Sequence, residues 1–316
     1  MIWLTWRQYR VEIMLTVLAF ALLCVFFVKD GLFLYGGGCR AASCLYTTLA
    51  LTSPAMIAFL LNPLCCLLAS VFVGAPMVAR EQEARMHYLL WTQGITRRHW
   101  LAAKLSLITI ATLLVSLAIV VLMTWWWEPL NRFAGPWDMY HVRGLVMPAS
   151  ILFMLLLGVA IGTFVRQTIL AMALTFLVVI ALLVVQYSFD FYLIPPVSKT
   201  VIIQTAADFA HDNVFIGENS RVLYSETFDS SGHKIDRLGA YCGIPDDKLK
   251  NYDDRQDAKN TKVGNTCTKE SHIQWQLTYQ PANRFWVLQG IEAALLLLLT
   301  LGLVFLIFWQ LGKRRD

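Results

Sequence analysis

Long apolar runs separated by short polar or basic stretches set the rhythm of the chain. Six runs, Val11 to Val28, Pro54 to Val78, Leu101 to Trp127, Leu145 to Val165, Thr168 to Tyr187 and Trp286 to Trp309, have the about 18 residues or more that a helix needs to cross a bilayer. The pattern predicts an all-α polytopic membrane protein with six transmembrane helices. Tryptophans lie at or beside the ends of these runs: Trp3 and Trp6, then Trp125, Trp126 and Trp127, then Trp286 and Trp309. Amphipathic rings of this kind settle at the headgroup level. The first run has the place of a signal peptide, but Lys29-Asp30-Gly31 follows it where a small-residue cleavage site is required. It is read as a retained span.

The rhythm breaks twice. Asp190 to Arg284 is 95 residues long, too long for an ordinary connection, and so reads as a domain or an insert. Within it Arg221 to Phe228 alternates apolar and polar, Asp229-Ser230-Ser231-Gly232 is turn chemistry, and His272 to Tyr279 alternates again, which predicts a small sheet. Asp246 to Lys262 is charged and nearly without apolar residues. The second break joins the second and third runs. Met86, Leu89, Leu90 and Gln93 share one helical face, with the charged residues mostly earlier and opposite. That is an amphipathic helix at about 79–93, ended by Gly94, with Thr96 placed as the N-cap of the next helix and Arg97, Arg98 and Lys104 at the headgroups. Two readings of it are open: an interfacial anchor, or a transmission element that docks a cytoplasmic partner. The resulting division is 1–189 for the first five helices, 190–284 for the outer domain and 285–316 for the last helix with its basic tail.

Composition supports the membrane reading. Hydrophobic residues make up 57% of the chain and charged ones 15%, whereas a soluble domain is about a quarter charged. A net charge of +5 that is not gathered in one patch excludes a nucleic-acid reader; a soluble enzyme and a disordered regulator are excluded as well. The basic excess instead sets topology. Arg7, Arg10, Arg80, Arg85, Arg97, Arg98, Lys104, Arg166, Lys313, Arg314 and Arg315 fall on one side of the six spans, against Lys29, Arg40, Arg132 and Arg143 in the short loops of the other. Lys and Arg accumulate in cytoplasmic loops, so both termini are placed in the cytoplasm.

Of the seven cysteines, Cys24, Cys65 and Cys66 lie within spans and read as small packing residues. Cys39, Cys44, Cys242 and Cys267 fall outside, an even number in an oxidising compartment. Proximity favours Cys39 with Cys44 and Cys242 with Cys267, although four cysteines allow three connectivities. No pair has the C-x-x-C spacing of a zinc site. His211 beside Asp212 and His233 near Asp236 are the minimum for general-base or metal chemistry, but no nucleophile motif accompanies them. No Gly-rich phosphate loop is present. No catalytic, cofactor-binding or metal-binding residue is assigned.

Glu292 is the one clear carboxylate inside a predicted span, near Gln289 and about two turns beyond Arg284. Ionisable groups are costly in lipid and mark function by default, so Glu292 and Gln289 are candidates for a substrate path. A structural hydrogen bond near the outer surface is the competing reading. Gly158-x-x-x-Gly162 in the fourth span permits close helix approach, within one chain or between two.

Glu81 and Glu83, Leu89-Leu90, Thr92, Gly94, Thr96-Arg97 and Lys104 resemble the loop between the second and third spans of type-2 ATP-binding-cassette permeases, where the coupling helix meets the ATPase. Trp3-Leu4-Thr5-Trp6-Arg7-Gln8 and the stretch YQPANRFWVLQGIE from Tyr279 to Glu292 look like an actinobacterial-type branch of that family. Relatives often carry Gly-Thr where this chain has Arg85-Met86. The resemblance implies a multi-pass permease subunit of an exporter in the bacterial cell membrane. It implies a homodimer or a pair with a related permease, working with a separate cytoplasmic ATPase that holds ATP and Mg. This chain would carry no cofactor and no nucleic acid, and its partners would be that ATPase, the second permease and membrane lipid. Glu81, Glu83, Arg85, Leu89, Leu90, Thr92 and Arg97 are the implied coupling residues. The weakly charged spans suit an amphipathic or apolar cargo, and suit an unspecialised bundle equally well. The alternative is a membrane sensor whose outer domain binds a ligand and signals through the cytoplasmic loop; a membrane-anchored outer enzyme is disfavoured by the missing nucleophile motif.

Overall fold

The computed structural model describes residues 21–32, 54–83, 97–129, 136–165, 167–202, 219–235 and 271–313, with 241 and 267. Within them the chain forms two compact units, one made of helices and one built around a small sheet.

The helical unit begins with α1, described over 21–32. The remainder of the first predicted span, from Val11, lies outside the described residues. The second span is one continuous rod of three parts: α2 (Pro54–Leu67), a π-helical segment (Leu68–Gly74) and α3 (Ala75–Glu83). Pro76 accounts for the wide turn. A proline has no N–H to donate and its ring clashes with the carbonyl four residues back, and opening the turn before it relieves that clash. Ala75 bonds back to the Ser70 carbonyl in the five-residue π pattern. The remaining helices are α4 (Arg97–Trp127), α5 (Val146–Phe164), α6 (Thr168–Phe189) and α7 (Phe285–Lys313). Five described segments are long and apolar enough to cross a membrane: Phe59–Arg80, Leu101–Trp127, Val146–Phe164, Thr168–Tyr192 and Ala282–Gln310.

α5 is the central helix of this unit, buried along nearly its whole length, while its neighbours keep wide apolar faces outward. A helix that is apolar all round belongs in such a position. The small residues Gly158 and Gly162 are spent there. A Cβ on Gly158 would collide with the Ser70 carbonyl oxygen, and one on Gly162 with that of Ala75. The G-x-x-x-G motif therefore packs within one chain.

Two positional expectations are corrected. Trp126 and Trp127 are fully buried rather than in a headgroup belt; Trp126 stacks edge-on against Phe27, 5.0 Å between centroids, and its Nε1 donates to Asp30 Oδ2 at 2.8 Å. An indole N–H in an apolar surround requires such an acceptor. Trp125, Trp286 and Trp309 do face outward. Lys104 is buried too, its Nζ donating to the Met77 carbonyl at 3.1 Å.

The second unit comprises residues 135–137 and 191–288. β1 (Val197–Ile202), β2 (Arg221–Phe228) and β3 (Gln274–Gln280) form an antiparallel sheet in the order β1-β3-β2. β2 and β3 lie where the two alternating stretches predict strands, although burial does not alternate along β2, whose register shifts between Val222 and Tyr224; Trp275 and Leu277 of β3 pack with Val222 and Tyr279. The predicted turn is present: Asp229 Oδ1 accepts the N–H of both Ser231 and His233 at 2.9 Å, and Gly232 takes a φ of +84°. β1 pairs with β3 from Val197↔Tyr279 to Ile202↔Gln274; its mixed sequence gives no alternation to read. Cys39, Cys44 and Cys242 lie outside the described residues, as do His211, Asp212 and Asp236.

Candidate functional site

Polar side chains gather at the end of the helical unit where α5 and the membrane part of α7 begin and α6 ends. Residues 136–145 make the tight connection into α5. A 3-10 turn (Trp137–Met139) lets Val142 and Arg143 donate to the Met139 carbonyl, and Gly144 takes a φ of +87°, which favours glycine. Leu145, at the N-cap of α5, has no capping side chain of its own. Gln289 on α7 takes over that task. Its Oε1 accepts from Leu145 N at 2.8 Å and Val146 N at 3.2 Å, and its Nε2 donates to the carbonyls of Tyr140 at 2.7 Å and Arg143 at 2.8 Å. One amide thereby satisfies four backbone groups at a buried helix start.

Glu292 follows Gln289 by three residues and so shares its helix face. Its Oε2 accepts from the Tyr140 hydroxyl at 2.9 Å and its Oε1 from Gln186 Nε2 at 2.7 Å. Burial, together with the negative Glu292, raises the Tyr140 pKa and keeps that hydroxyl a donor. Beside them His141 Nε2 stands 3.1 Å from Asp190 Oδ2, and the imidazole stacks on the Tyr187 ring at 3.8 Å between centroids. His141, Asp190 and Glu292 are all buried, and one donor atom from each lies within 4.8 Å of the others. A little deeper, Ser150 Oγ donates to Asn62 Oδ1 at 3.1 Å.

Sequence reading singled out Glu292 and Gln289 but not their neighbours. Glu292 bonds to Tyr140 and Gln186 rather than to Gln289. Asp190 escaped notice because the predicted fifth span stops at Tyr187, whereas the apolar helical segment runs on to Tyr192. His141 belongs to a loop that, read alone, is an exposed connection. A carboxylate three residues past an apolar run, opposite another in the next span, is the signal available in the sequence.

At the other end of the unit, α3 carries the second span on to Glu83. The Glu83 carboxylate accepts the N–H of Thr168, the first residue of α6, at 3.0 Å. Gln167 precedes that helix with no side-chain cap of its own, so Glu83 supplies one from a distant element. The Thr168 hydroxyl and amide beside it lower the Glu83 pKa below the ordinary carboxylate value. Glu81 and Arg97 lie on described helical backbone. Arg85, Leu89, Leu90 and Thr92, with all of 84–96, lie outside the described residues. In the sheet unit His233 is exposed on the turn, with Nδ1 2.8 Å from Ser231 Oγ and 3.7 Å from Asp229.

Residues 13–189 match a family model described as ABC-2 membrane transporter related. No match is found among curated proteins or among solved structures. The matched segment covers more than half of the 316 residues and takes in α5, α6 and the second and third spans with their apolar faces. It describes a multi-pass membrane protein, consistent with the bacterial cell membrane, and a transporter permease. On that match, the chain belongs to the ABC-2 membrane transporter related family.

Proposed function

We propose that this chain is the transmembrane subunit of an ABC exporter that moves an amphipathic or apolar substrate across the plasma membrane, driven by ATP hydrolysed in a separate cytoplasmic subunit. The observation that carries the reading is the family match over residues 13–189, joined to described helices of spanning length. An ABC ATPase partner follows from the family, and that partner would hold the ATP and Mg; this chain is the non-catalytic half. It works with a second copy or a related permease. The end motifs at 3–8 and 279–292 support the actinobacterial-type branch. Both termini are cytoplasmic, and the sheet unit belongs to the outer side. Cys267 is disulfide-bonded, and Cys242 is read as its partner from proximity in the sequence.

The segment at about 79–93 is the coupling helix, with Glu81, Glu83, Arg85, Leu89, Leu90, Thr92 and Arg97 at its contact. Support comes from Glu83, which ties the end of the second span to the start of the fifth. A force applied there is shared by two membrane helices at once, which is what transmission from a soluble partner requires. The test is purification from native membranes in mild detergent, with the accompanying proteins identified and vanadate-sensitive ATP hydrolysis measured. A stoichiometric ATP-binding subunit is expected. Charge reversal at Glu81 and Glu83 should lower transport-coupled hydrolysis by about fivefold or more, the scale of an ordinary coupling energy, while insertion persists. A lone inactive chain, or a kinase-like companion, would overturn the reading in favour of a sensor.

A further inference from the structure

We propose that His141, Asp190 and Glu292 form a binding site for one divalent first-row transition-metal ion, of the Zn²⁺ or Mn²⁺ kind. The three residues come from separate elements: the loop before α5, the end of α6, and α7. The topology brings one imidazole nitrogen and two carboxylates within 4.8 Å of one another in a buried place. Ions of this class hold nitrogen and oxygen donors at about 2.0–2.2 Å, which sets neighbouring donors about 3.3 Å apart in a tetrahedron. The 3.1 Å between His141 Nε2 and Asp190 Oδ2 is close to that spacing. The approach also lacks hydrogen-bond alignment, since Oδ2 has no hydrogen-bond partner among the described residues. Two lone pairs turned toward a common centre give such a geometry, and Glu292, whose donor oxygen lies within 4.8 Å of both, reaches it by a side-chain movement of up to about 1.5 Å.

Charge argues the same way. Two carboxylates face one imidazole, and Tyr140, Gln186 and Tyr187 beside them carry no positive charge. Arg143 is near but pairs with Glu128, at 4.0 Å. Even with the imidazole protonated against Asp190, two carboxylates leave one negative charge over; buried unpaired charge is costly, and a divalent cation supplies the balance. An independent sign is a buried oxygen beside the trio: Gln186 donates its Nε2 to Glu292, and its Oε1 has no hydrogen-bond partner among the described residues. A nitrogen-and-oxygen donor set without thiolate selects Zn²⁺ or Mn²⁺ over soft ions such as Cu⁺. The inference stands on this geometry and is independent of the transport reading.

The experiment takes the full chain in detergent, stripped with chelator, dialysed against Zn²⁺ or Mn²⁺ and freed of loose metal. One retained ion per chain is expected, with an X-ray absorption spectrum of oxygen and a single imidazole. Asp190→Asn and His141→Gln should each weaken binding by at least about tenfold, since even changes behind a ligand cost that much. Asp229→Asn, in the sheet unit, should leave binding unchanged. If the ligand variants do not fold, the wild-type spectrum decides alone. Absence of a stoichiometric ion, equal retention by the ligand variants, or sulfur in the coordination sphere would overturn the proposal and leave a proton shared between the two carboxyls.

Discussion

At the start of α5 the first backbone N–H groups have no carbonyl a turn behind them to accept their bonds, and Leu145 brings no side-chain oxygen. In water this would cost little. Here the surroundings are apolar and Tyr140, Val146 and Met147 are buried, so the groups need a partner from elsewhere in the chain. Gln289 suits the task because an amide both accepts and donates, and its four bonds of 2.7–3.2 Å use both capacities. Leucine at 289 would keep the volume and abandon all four groups. An unsatisfied buried group costs about 1–3 kcal/mol, and some would find water, so Gln289→Leu should lower stability by about 2–4 kcal/mol. Thermal unfolding of the purified chain in detergent checks this, and an unchanged midpoint would show that the cap is dispensable.

The packing of α5 against the π-helical segment and α3 is governed by backbone contact. Gly74 lies against the Leu155 carbonyl, Gly158 against that of Ser70 and Gly162 against that of Ala75. Without a hydrophobic drive between helices in lipid, such close approach is a principal source of association. The atoms a methyl group would meet at Gly158 are carbonyl oxygen and amide nitrogen, which cannot rotate away as a side-chain tip can. Gly158→Ala should therefore cost about 1–3 kcal/mol, the usual penalty of overpacking. Gly302→Ala on α7, where nothing lies within 4 Å, should be neutral or slightly stabilising through helix propensity. Comparing the two melts separates tight contact from a general effect of adding a methyl group. Only part of this packing was legible in the sequence. The spacing of Gly158 and Gly162 marks a face for close approach, but periodicity does not say which helix meets it. The π segment left no trace in the pattern, because an apolar run reads the same whether its turns are wide or narrow.

At the scale of the molecule, the spans from the second to the sixth follow from apolar length alone, and β2 and β3 from alternation. The polar site did not follow, because its members are set apart by about 50 and 100 positions and are joined only by folding. That separation has a consequence for assembly. The family match ends at residue 189, yet Gln289 and Glu292 reach the helical unit from α7. Membrane helices insert singly and associate afterwards, so α7 acts as a late piece that completes the cap of α5 and the bonds of Tyr140 and Gln186. A chain ended after Tyr192 should insert but resist protease poorly and accumulate to a lower level. Co-expression of residues 285–316, whose basic tail favours the native orientation, should restore protection. The same fragment with Gln289→Leu should restore less, since it keeps the apolar surface and lacks the amide. Equal protease resistance of the truncated and whole chains would show that α5 needs no partner from α7. Equal rescue by both fragments would show that apolar packing joins α7 to the unit and that the polar bonds form without driving its docking.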